Sequence, residues 1–530
     1  MNTEKKAKDF HVTLLRTPIV STAGAVSFSS AVPPIALGYL SAALRKAGYQ
    51  VTNIDAIGEG IDRVRPVPGK PHMEFQGLSI EEIIERIPPE TNLLGASCMF
   101  SSEWPFARDI IKAIKKKLPH LTIIAGGEHI SAMPEFCLEQ CEAIEVAVLG
   151  EGEEALIEIA ECFKDKKSYS HLNGLVYRDQ GKMVKTGPRK RIKQVDDIPW
   201  PAWDLLPLQV YLDSKSSHGP YRGRTIPILA SRGCPYNCTF CSNQRMWGVS
   251  YISRLATDVV DEIDFYIKNY DIKCIEFFDL TTIIKKSWII EFCNLLIERN
   301  IKVSWQITGG TRTEAIDEEV IAIAKKAGCE YLGFAPESGS PEVLKLIRKK
   351  VDLKRMVSLF KIARKYKLGT RANLIIGFPD ETRKHIWRTL FFQMRLAFLG
   401  VLDAPIFEFS PYPGSDYFER LRANGVIDSL DDEYFDSLGM NMQLKNRKMY
   451  CESVGHFELS IYQFLGMSAF YGIYYLLRPR HFYQFIKSMF KDNISKSVFE
   501  QRITQNVKKR LAKWHVLKPN RAVEPENRSA

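Results

Sequence analysis

The 530-residue sequence has no apolar segment long enough to cross a lipid bilayer. Its longest apolar run, 464–477, is about 14 residues long and contains glycine, serine and tyrosine, whereas a spanning helix needs about 20 residues. The first nine residues are polar and rich in lysine, so we expect no export signal. Eleven cysteines are too few for a disulfide scaffold in a chain of this length. We therefore expect a cytoplasmic protein whose cysteines are thiols or metal ligands.

Basic charge is scarce outside the C-terminal end of the chain. Lysine and arginine number 73 against 62 aspartates and glutamates, and residues 478–530 carry nine of the eleven net positive charges. The rest of the chain lacks the basic face that is typical of nucleic-acid-binding proteins, so we expect no nucleic-acid partner. We expect the tail, 508–530, to be solvated.

Strands and helices alternate over the first 165 residues. Apolar runs of strand length are separated by amphipathic helical segments, which predicts a parallel sheet wound on both faces. Such sheets bind ligands in the loops at the carboxyl ends of their strands. These loops contain small or acidic residues, namely Ser97, Gly126, Gly127, Gly150, Glu151 and Gly152.

A second series of alternating strands and helices follows a hairpin and a proline-rich linker. Six strand–helix units in about 190 residues are too few for an eight-fold barrel and predict a partial one. We expect a doubly wound α/β domain at 8–165, the hairpin and linker at 166–222, a partial (β/α)6 barrel at 223–417, and a helical C-terminal region with the basic tail at 418–530.

Three cysteines in one loop form the most specific motif of the chain. Cys234, Cys238 and Cys241 have the pattern Cys-x3-Cys-x2-Cys directly after the first strand of the second series. Thiolates at this spacing can converge on one inorganic centre. A cubane iron–sulfur cluster normally takes four ligands, so three cysteines would leave one iron open. A zinc site completed by a remote residue is the alternative, although no second Cys or His pair lies nearby.

This motif, with an aromatic residue before its last cysteine, resembles the radical S-adenosylmethionine (radical SAM) superfamily. The resemblance implies that the three cysteines hold a 4Fe–4S cluster whose open iron binds adenosylmethionine, and that a flavodoxin- or ferredoxin-type donor supplies one electron. The resemblance also implies an adenosylmethionine site with the aromatic residue of this motif, Phe240, and with Asp279, Glu337 and Ser338 from later motifs.

The first domain is similar to a cobalamin-binding domain. The resemblance implies that Ser97, Gly126 and Gly127 accept the nucleotide tail of the corrinoid, and that Gly150, Glu151 and Gly152 belong to the cofactor site. A Gly-x-Gly-x-x-Gly motif for dinucleotides is absent. The motif that supplies an axial histidine is also absent, and the loop 17–32 has no histidine. We therefore expect cobalt without a histidine below it, while His129 is either a corrinoid contact or a solvated loop residue.

Together the two resemblances imply a cobalamin-dependent radical SAM enzyme. The first hypothesis is a methyltransferase that adds a methyl group to an unactivated carbon or phosphorus centre of a small or lipid-like substrate. The alternative is a radical oxidative cyclase or rearrangement enzyme without net methyl transfer. A methylthiotransferase acting on RNA and a non-enzymatic corrinoid carrier fit the motifs less well. No further catalytic residue is predicted.

The C-terminal region leaves two possibilities open. Its aromatic and basic segment, 461–490, is either a helical lid over the active site or an interfacial helix that makes peripheral contact with a membrane.

Overall fold

A computed structural model of the chain describes residues 9–23, 31–439, 448–490 and 495–517. The predicted tail from 518 onward lies outside the described residues. The strands are, in chain order, β1 (His11–Arg16), β2 (Ile19–Thr22), β3 (Gln50–Asp55), β4 (Val64–Val67), β5 (Lys70–Gln76), β6 (Thr91–Ser97), β7 (Thr122–Gly126), β8 (Val146–Val148), β9 (Leu175–Asp179), β10 (Lys182–Lys185), β11 (Thr225–Ile228), β12 (Ser231–Arg232), β13 (Ile252–Ser253), β14 (Cys274–Phe277), β15 (Ser304–Thr311), β16 (Cys329–Glu337), β17 (Gly369–Ile376) and β18 (Ile406–Glu408).

Helices connect most of the parallel strands. They are, in chain order, α1 (Ile35–Lys46), α2 (Ile80–Glu85), α3 (Trp104–Lys117), α4 (Glu128–Ala132), α5 (Pro134–Gln140), α6 (Gly152–Lys164), α7 (Leu208–Asp213), α8 (Asn243–Trp247), α9 (Ala256–Tyr270), α10 (Lys286–Glu298), α11 (Glu318–Lys326), α12 (Pro341–Leu346), α13 (Leu353–Lys365), α14 (Arg383–Leu399), α15 (Asp416–Ala423), α16 (Asp432–Leu438), α17 (His456–Leu476), α18 (Pro479–Phe490) and α19 (Val498–Leu517).

The first half folds around a seven-stranded sheet with the order β10-β9-β8-β7-β6-β1-β3. Strands β3, β1, β6, β7 and β8 are parallel, which confirms the predicted doubly wound α/β fold. The hairpin β9–β10 pairs antiparallel with β8 and covers its edge. The sequence analysis had assigned this hairpin to the linker, whereas the structure makes it part of the first sheet.

The second half is a six-stranded parallel sheet in which the strands follow their order in the chain, β11-β14-β15-β16-β17-β18. Since each crossover carries at least one helix, the sheet curves into the predicted partial barrel, open between β11 and β18. The carboxyl ends of its strands form the barrel mouth, where ligands are bound in this kind of fold.

The sequence analysis missed a small antiparallel sheet with the order β2-β5-β4. It is formed by a segment after β1 and by the connection between β3 and α2. Its strands are short, and the buried side chains Met73 and Phe75 pack into the core of the first domain. Strands this short give little periodicity, so only the pairing shows them.

The C-terminal helices lie beside and beneath the barrel. Helix α17 runs along the last strand, where the Gln463 side chain donates to the Ile406 carbonyl at 2.9 Å. Beneath the barrel, Arg502 of α19 donates to the Ser217 carbonyl at 3.2 Å. The predicted lid over the active site is therefore wrong, because the segment 461–490 packs on the barrel wall and not across its mouth. Within the described ranges, no helix is both long and apolar enough to span a membrane.

The two halves share buried side chains. One hydrophobic cluster joins residues of the first domain, such as Trp104 and Ile130, with Phe378, Tyr417 and Phe435 from the barrel and the region after it. Ion pairs add to this contact, since Arg108 of α3 lies 2.8 Å from Asp432 of α16. The exact domain boundaries given above stay a prediction.

Candidate active site

The loop with the three cysteines begins at the barrel mouth. β12 pairs with β13, so the chain between them forms a closed loop that contains Cys234, Cys238 and Cys241. Gly233 enters this loop with a positive φ of 83°, and a Cβ there would collide with the Ser250 carbonyl oxygen. A glycine is therefore needed for the loop to close.

The three thiols influence one another electrostatically. Burial, together with the neighbouring charges of Cys238 and Cys234, raises the pKa of the Cys241 thiol to about 12. Burial also raises the pKa of the Cys238 thiol. Across the described part of the chain, no three His, Cys, Asp or Glu side chains are assembled in the arrangement of a metal site. The donor set suits an iron–sulfur cluster, whose binding then has to bring the thiols together and deprotonate them.

Two cations face this loop. The buried Arg312 guanidinium lies 3.4 Å from the centre of the Tyr236 ring, and none of its three nitrogens has a hydrogen-bond partner among the described residues. Lys349 is partly buried and lies 2.9 Å from Glu337. An unpaired buried guanidinium costs free energy unless a ligand pairs with it. Arg312 therefore suits an anionic group such as the carboxylate of adenosylmethionine. The sequence analysis missed both cations, whose only signal was their position shortly after β15 and α12.

Asp279, the predicted adenosylmethionine contact after β14, is hydrogen-bonded to the start of the cysteine loop. Its carboxylate accepts hydrogen bonds from the Ala230 amide at 3.2 Å and from the Ser231 hydroxyl. Burial raises the pKa of Asp279 to about 6. Asp279 therefore holds the start of the cysteine loop against the end of β14. The hydroxyls of Thr281 and Thr282, directly after it, are buried without a partner among the described residues and are free for a ligand.

The other predicted adenosylmethionine residues differ in what they contact. Glu337 lies at the barrel mouth with a positive φ of 65° and pairs with Lys349. The Ser338 hydroxyl lies 2.9 Å from that of Thr389 on α14, so it is used within the protein. The Phe240 ring packs 5.8 Å from Phe378, next to the last cysteine.

At the first sheet, Ser97, Gly126 and Gly127 meet at the carboxyl ends of β6 and β7. A Cβ on Gly126 would have only Val148 atoms near it, the closest at 3.7 Å, so this glycine leaves open space. Gly127 has a φ of 111°, and a Cβ there would approach the Cys98 carbonyl oxygen to 2.5 Å. Gly127 is therefore required for the two loops to pack together, while Gly126 leaves room for a ligand.

His129, in the same loop, is buried and not solvated. Its Nδ1 lies 2.9 Å from the Ser101 hydroxyl, and its Nε2 has no partner among the described residues. The ring lies 5.1 Å from that of Trp104, whose indole nitrogen also lacks a described partner. Burial lowers the pKa of His129 to about 3, so the imidazole is neutral. Two buried polar atoms without a described partner, His129 Nε2 and Trp104 Nε1, are available to a polar ligand group such as the tail of a corrinoid.

The segment Gly150–Glu153 connects the first domain to the cysteine loop. Glu151 accepts from Arg191 at 2.6 Å and from Arg232 at 3.2 Å, and Glu153 lies 2.5 Å from Arg232. The sequence analysis had assigned Gly150, Glu151 and Gly152 to the cofactor site, but the Glu151 carboxylate is occupied by these arginines. Arg232 precedes Cys234 by two residues, so this buried ion-pair network fixes the loop to the first domain.

Models of two known families match these two halves. The B12-binding domain matches residues 22–160, and the radical SAM superfamily matches residues 228–392. The chain belongs to the cobalamin-binding radical SAM enzymes. Its cofactors are a 4Fe–4S cluster, S-adenosylmethionine and cobalamin.

Two relatives of this radical SAM enzyme are named as methyltransferases. An uncharacterized methyltransferase of Pyrococcus horikoshii is 29% identical and aligns over 78% of this chain and 84% of its own length. The cytidylyl-2-hydroxyethylphosphonate methyltransferase of Streptomyces wedmorensis is 27% identical, over 76% and 80%. The structure of the radical SAM methyltransferase TsrM from Kitasatospora setae, with cobalamin and a [4Fe-4S] cluster bound, is similar with a TM-score of 0.60, 17% identity and 85% coverage of both chains. This last similarity concerns the fold.

Proposed function

We propose that this protein transfers a methyl group from adenosylmethionine, by way of cobalamin, to an unactivated carbon or phosphorus centre of a small molecule. The observation that supports this most is the ion-pair network of Glu151, Glu153 and Arg232. Because it fixes the cysteine loop to the corrinoid-binding domain, both cofactors can reach one substrate. The methyltransferase names of the two relatives agree with this proposal.

The chain's own residues hold and orient these groups. When bound, the cluster and adenosylmethionine supply hydrogen abstraction, and cobalamin supplies the methyl group. Cys234, Cys238 and Cys241 would hold the cluster. Arg312 would pair with the carboxylate of adenosylmethionine, since its guanidinium offers a donor fork to an anion. Asp279 would keep the start of the cysteine loop in position.

An anaerobic assay with methyl-labelled adenosylmethionine tests this proposal. We expect label in the product of the reconstituted enzyme, and no product when Cys238→Ala removes one thiolate. Cys162→Ala on helix α6, away from the loop, is the matched control and keeps the activity. Release of deoxyadenosine with an unlabelled product would contradict methyl transfer. It would support oxidative cyclisation or rearrangement as the reaction.

The electron donor and the place of action are further parts of the proposal. A one-electron donor of the flavodoxin or ferredoxin type would reduce the cluster. Peripheral membrane contact through the C-terminal region is favoured by exposed aromatic side chains such as Phe482 and Phe490 on α18.

A further inference from the structure

Helices α14, α17 and α18 expose an unusual amount of apolar surface. Of the 23 large hydrophobic side chains that are exposed in the described residues, 13 lie on these helices or on the turn between α17 and α18. Phe391 is 61% exposed and Phe464 is 68% exposed. Exposed apolar patches of this kind on otherwise polar proteins are typical of interaction sites.

The exposed residues of α14 and α17 form one continuous surface, which we call the aromatic face. It consists of Trp387, Phe391 and Phe398 on α14, and of Ile461, Phe464 and Leu465 on α17. Their spacing places each set on one side of its helix.

The two helices pack side by side, which joins the two sets. The Trp387 ring lies 5.5 Å from that of Tyr462, and a Cβ on Gly466 would touch the Leu390 side chain at 2.7 Å. The apolar side chains of both helices therefore border one another.

The charge around this face is predominantly positive, and Glu458 at the start of α17 is paired with Arg383. The stretches 383–402 and 459–490 contain no aspartate or glutamate. They contribute four exposed cations that have no acidic partner among the described residues, namely Lys384, Arg395, Arg480 and Lys487. Elsewhere on the surface, exposed cations such as Lys268 and Lys365 pair with nearby acids.

We propose that the aromatic face docks the enzyme on an anionic phospholipid bilayer. Phenylalanine and tryptophan side chains insert at the level of the lipid headgroups, and lysine and arginine beside them are attracted to anionic lipids. No described helix can span the bilayer, so the face lies in the interface. This goes beyond the membrane contact proposed for the C-terminal region, because it includes α14 of the barrel wall. The docking proposal holds whether or not the enzyme transfers a methyl group.

Sedimentation of the full chain with lipid vesicles tests this proposal. We expect binding to vesicles that contain phosphatidylglycerol and weak binding to pure phosphatidylcholine. The double variant Phe391→Ser with Phe464→Ser is expected to bind at least about tenfold more weakly, because two large apolar side chains no longer leave water. Its control is Phe265→Ser, an equally aromatic exposed position on α9 outside the face.

A second pair of variants tests the charge. Lys384→Glu with Arg395→Glu is expected to weaken binding at least about tenfold and to remove the preference for phosphatidylglycerol. Lys326→Glu, an exposed cation on α11, is expected to bind as the unchanged protein does.

Three results would overturn the proposal. The first is failure of the unchanged protein to bind anionic vesicles, and the second is full binding by the aromatic variant. The third is a dimer in sedimentation equilibrium that the aromatic variant dissociates, since this would assign the face to a second copy of the chain. Circular dichroism and iron content verify that each variant is folded.

Discussion

At the scale of single residues, Arg312 combines burial with a lack of hydrogen-bond partners among the described residues. A guanidinium that is 6% exposed and has no described hydrogen bond is a poor contributor to stability. Its position over Tyr236, beside the cysteine loop, is explained if adenosylmethionine supplies the missing anion. Replacing the Arg312 side chain is then expected to weaken ligand binding without lowering the stability of the cofactor-free protein.

We therefore expect Arg312→Met to weaken binding of adenosylmethionine about tenfold to hundredfold without lowering the melting temperature of the cofactor-free protein. Calorimetric titration of the reconstituted enzyme measures the affinity, and thermal unfolding measures the stability. Arg348→Met is the control, because this arginine is exposed and pairs with Asp416. Unchanged affinity in Arg312→Met would contradict the assignment.

His129 predicts a pH dependence. Its pKa is about 3 in the folded protein because burial disfavours the charged imidazolium, whereas a histidine in an unfolded chain has a pKa of about 6.5. Between these two pH values only the unfolded state binds the proton. Acidification therefore favours unfolding, by up to about 1.4 kcal/mol for each pH unit in this window.

We expect His129→Phe to make the free energy of unfolding less dependent on pH between about 6.5 and 3. Urea unfolding of the cofactor-free protein at several pH values measures this slope. If the free energy of unfolding depends on pH equally in His129→Phe and in the unchanged protein, the His129 imidazole binds a proton as readily in the folded as in the unfolded state.

At the scale of elements, Asp403 connects the barrel to helix α19. Its carboxylate accepts from the hydroxyls of Tyr331 at 2.6 Å and Tyr471 at 3.0 Å, and from the amides of Val498 at 2.8 Å and Phe499 at 3.2 Å. The same group thus anchors two barrel-wall elements and caps the first turn of α19. Helix α19 in turn closes the floor of the barrel.

We expect Asp403→Asn to lower the free energy of unfolding by about 2–4 kcal/mol, because the charge-assisted bonds weaken and one acceptor is lost. Helix α19 should also become sensitive to proteolysis. Urea unfolding and limited proteolysis measure these effects. Asp352→Asn, at the N-cap of α13, is expected to change little because asparagine caps helices as well as aspartate does. Intact α19 in digests of Asp403→Asn would argue against the anchor.

At the scale of the whole molecule, the buried network around Arg232 joins the two cofactor-binding halves. Arg232, Glu151 and Glu153 are all less than 9% exposed. Removing one partner from a buried network leaves uncompensated charge, which is strongly destabilising. The loss also removes an anchor of the cysteine loop on the first domain.

We expect Arg232→Gln to lower the free energy of unfolding by about 3–5 kcal/mol and to reduce the iron bound after reconstitution. Denaturant unfolding and iron analysis measure the two effects. Arg299→Gln removes an exposed ion pair with Asp261 and is expected to cost less than about 1 kcal/mol. Full iron content in Arg232→Gln would show that the loop is positioned without this network.

The sequence by itself determined the alternation of strands and helices and the position of the cysteine motif. The predicted alternation over the first 165 residues and the six strand–helix units of the second series are both present in the structure. These features are local, because the periodicity of apolar residues and the spacing of three cysteines are contained within short segments. The same holds for the order of the two halves, which follows the order of their motifs.

The tertiary structure decided which distant residues meet. It buried His129 against Trp104, left the Arg312 guanidinium without a hydrogen-bond partner among the described residues, and paired Glu151 with Arg232. It also placed the C-terminal helices on the wall and floor of the barrel. Pairing between residues far apart in the chain depends on how whole elements pack, and no local pattern in the sequence encodes which polar atoms that packing satisfies.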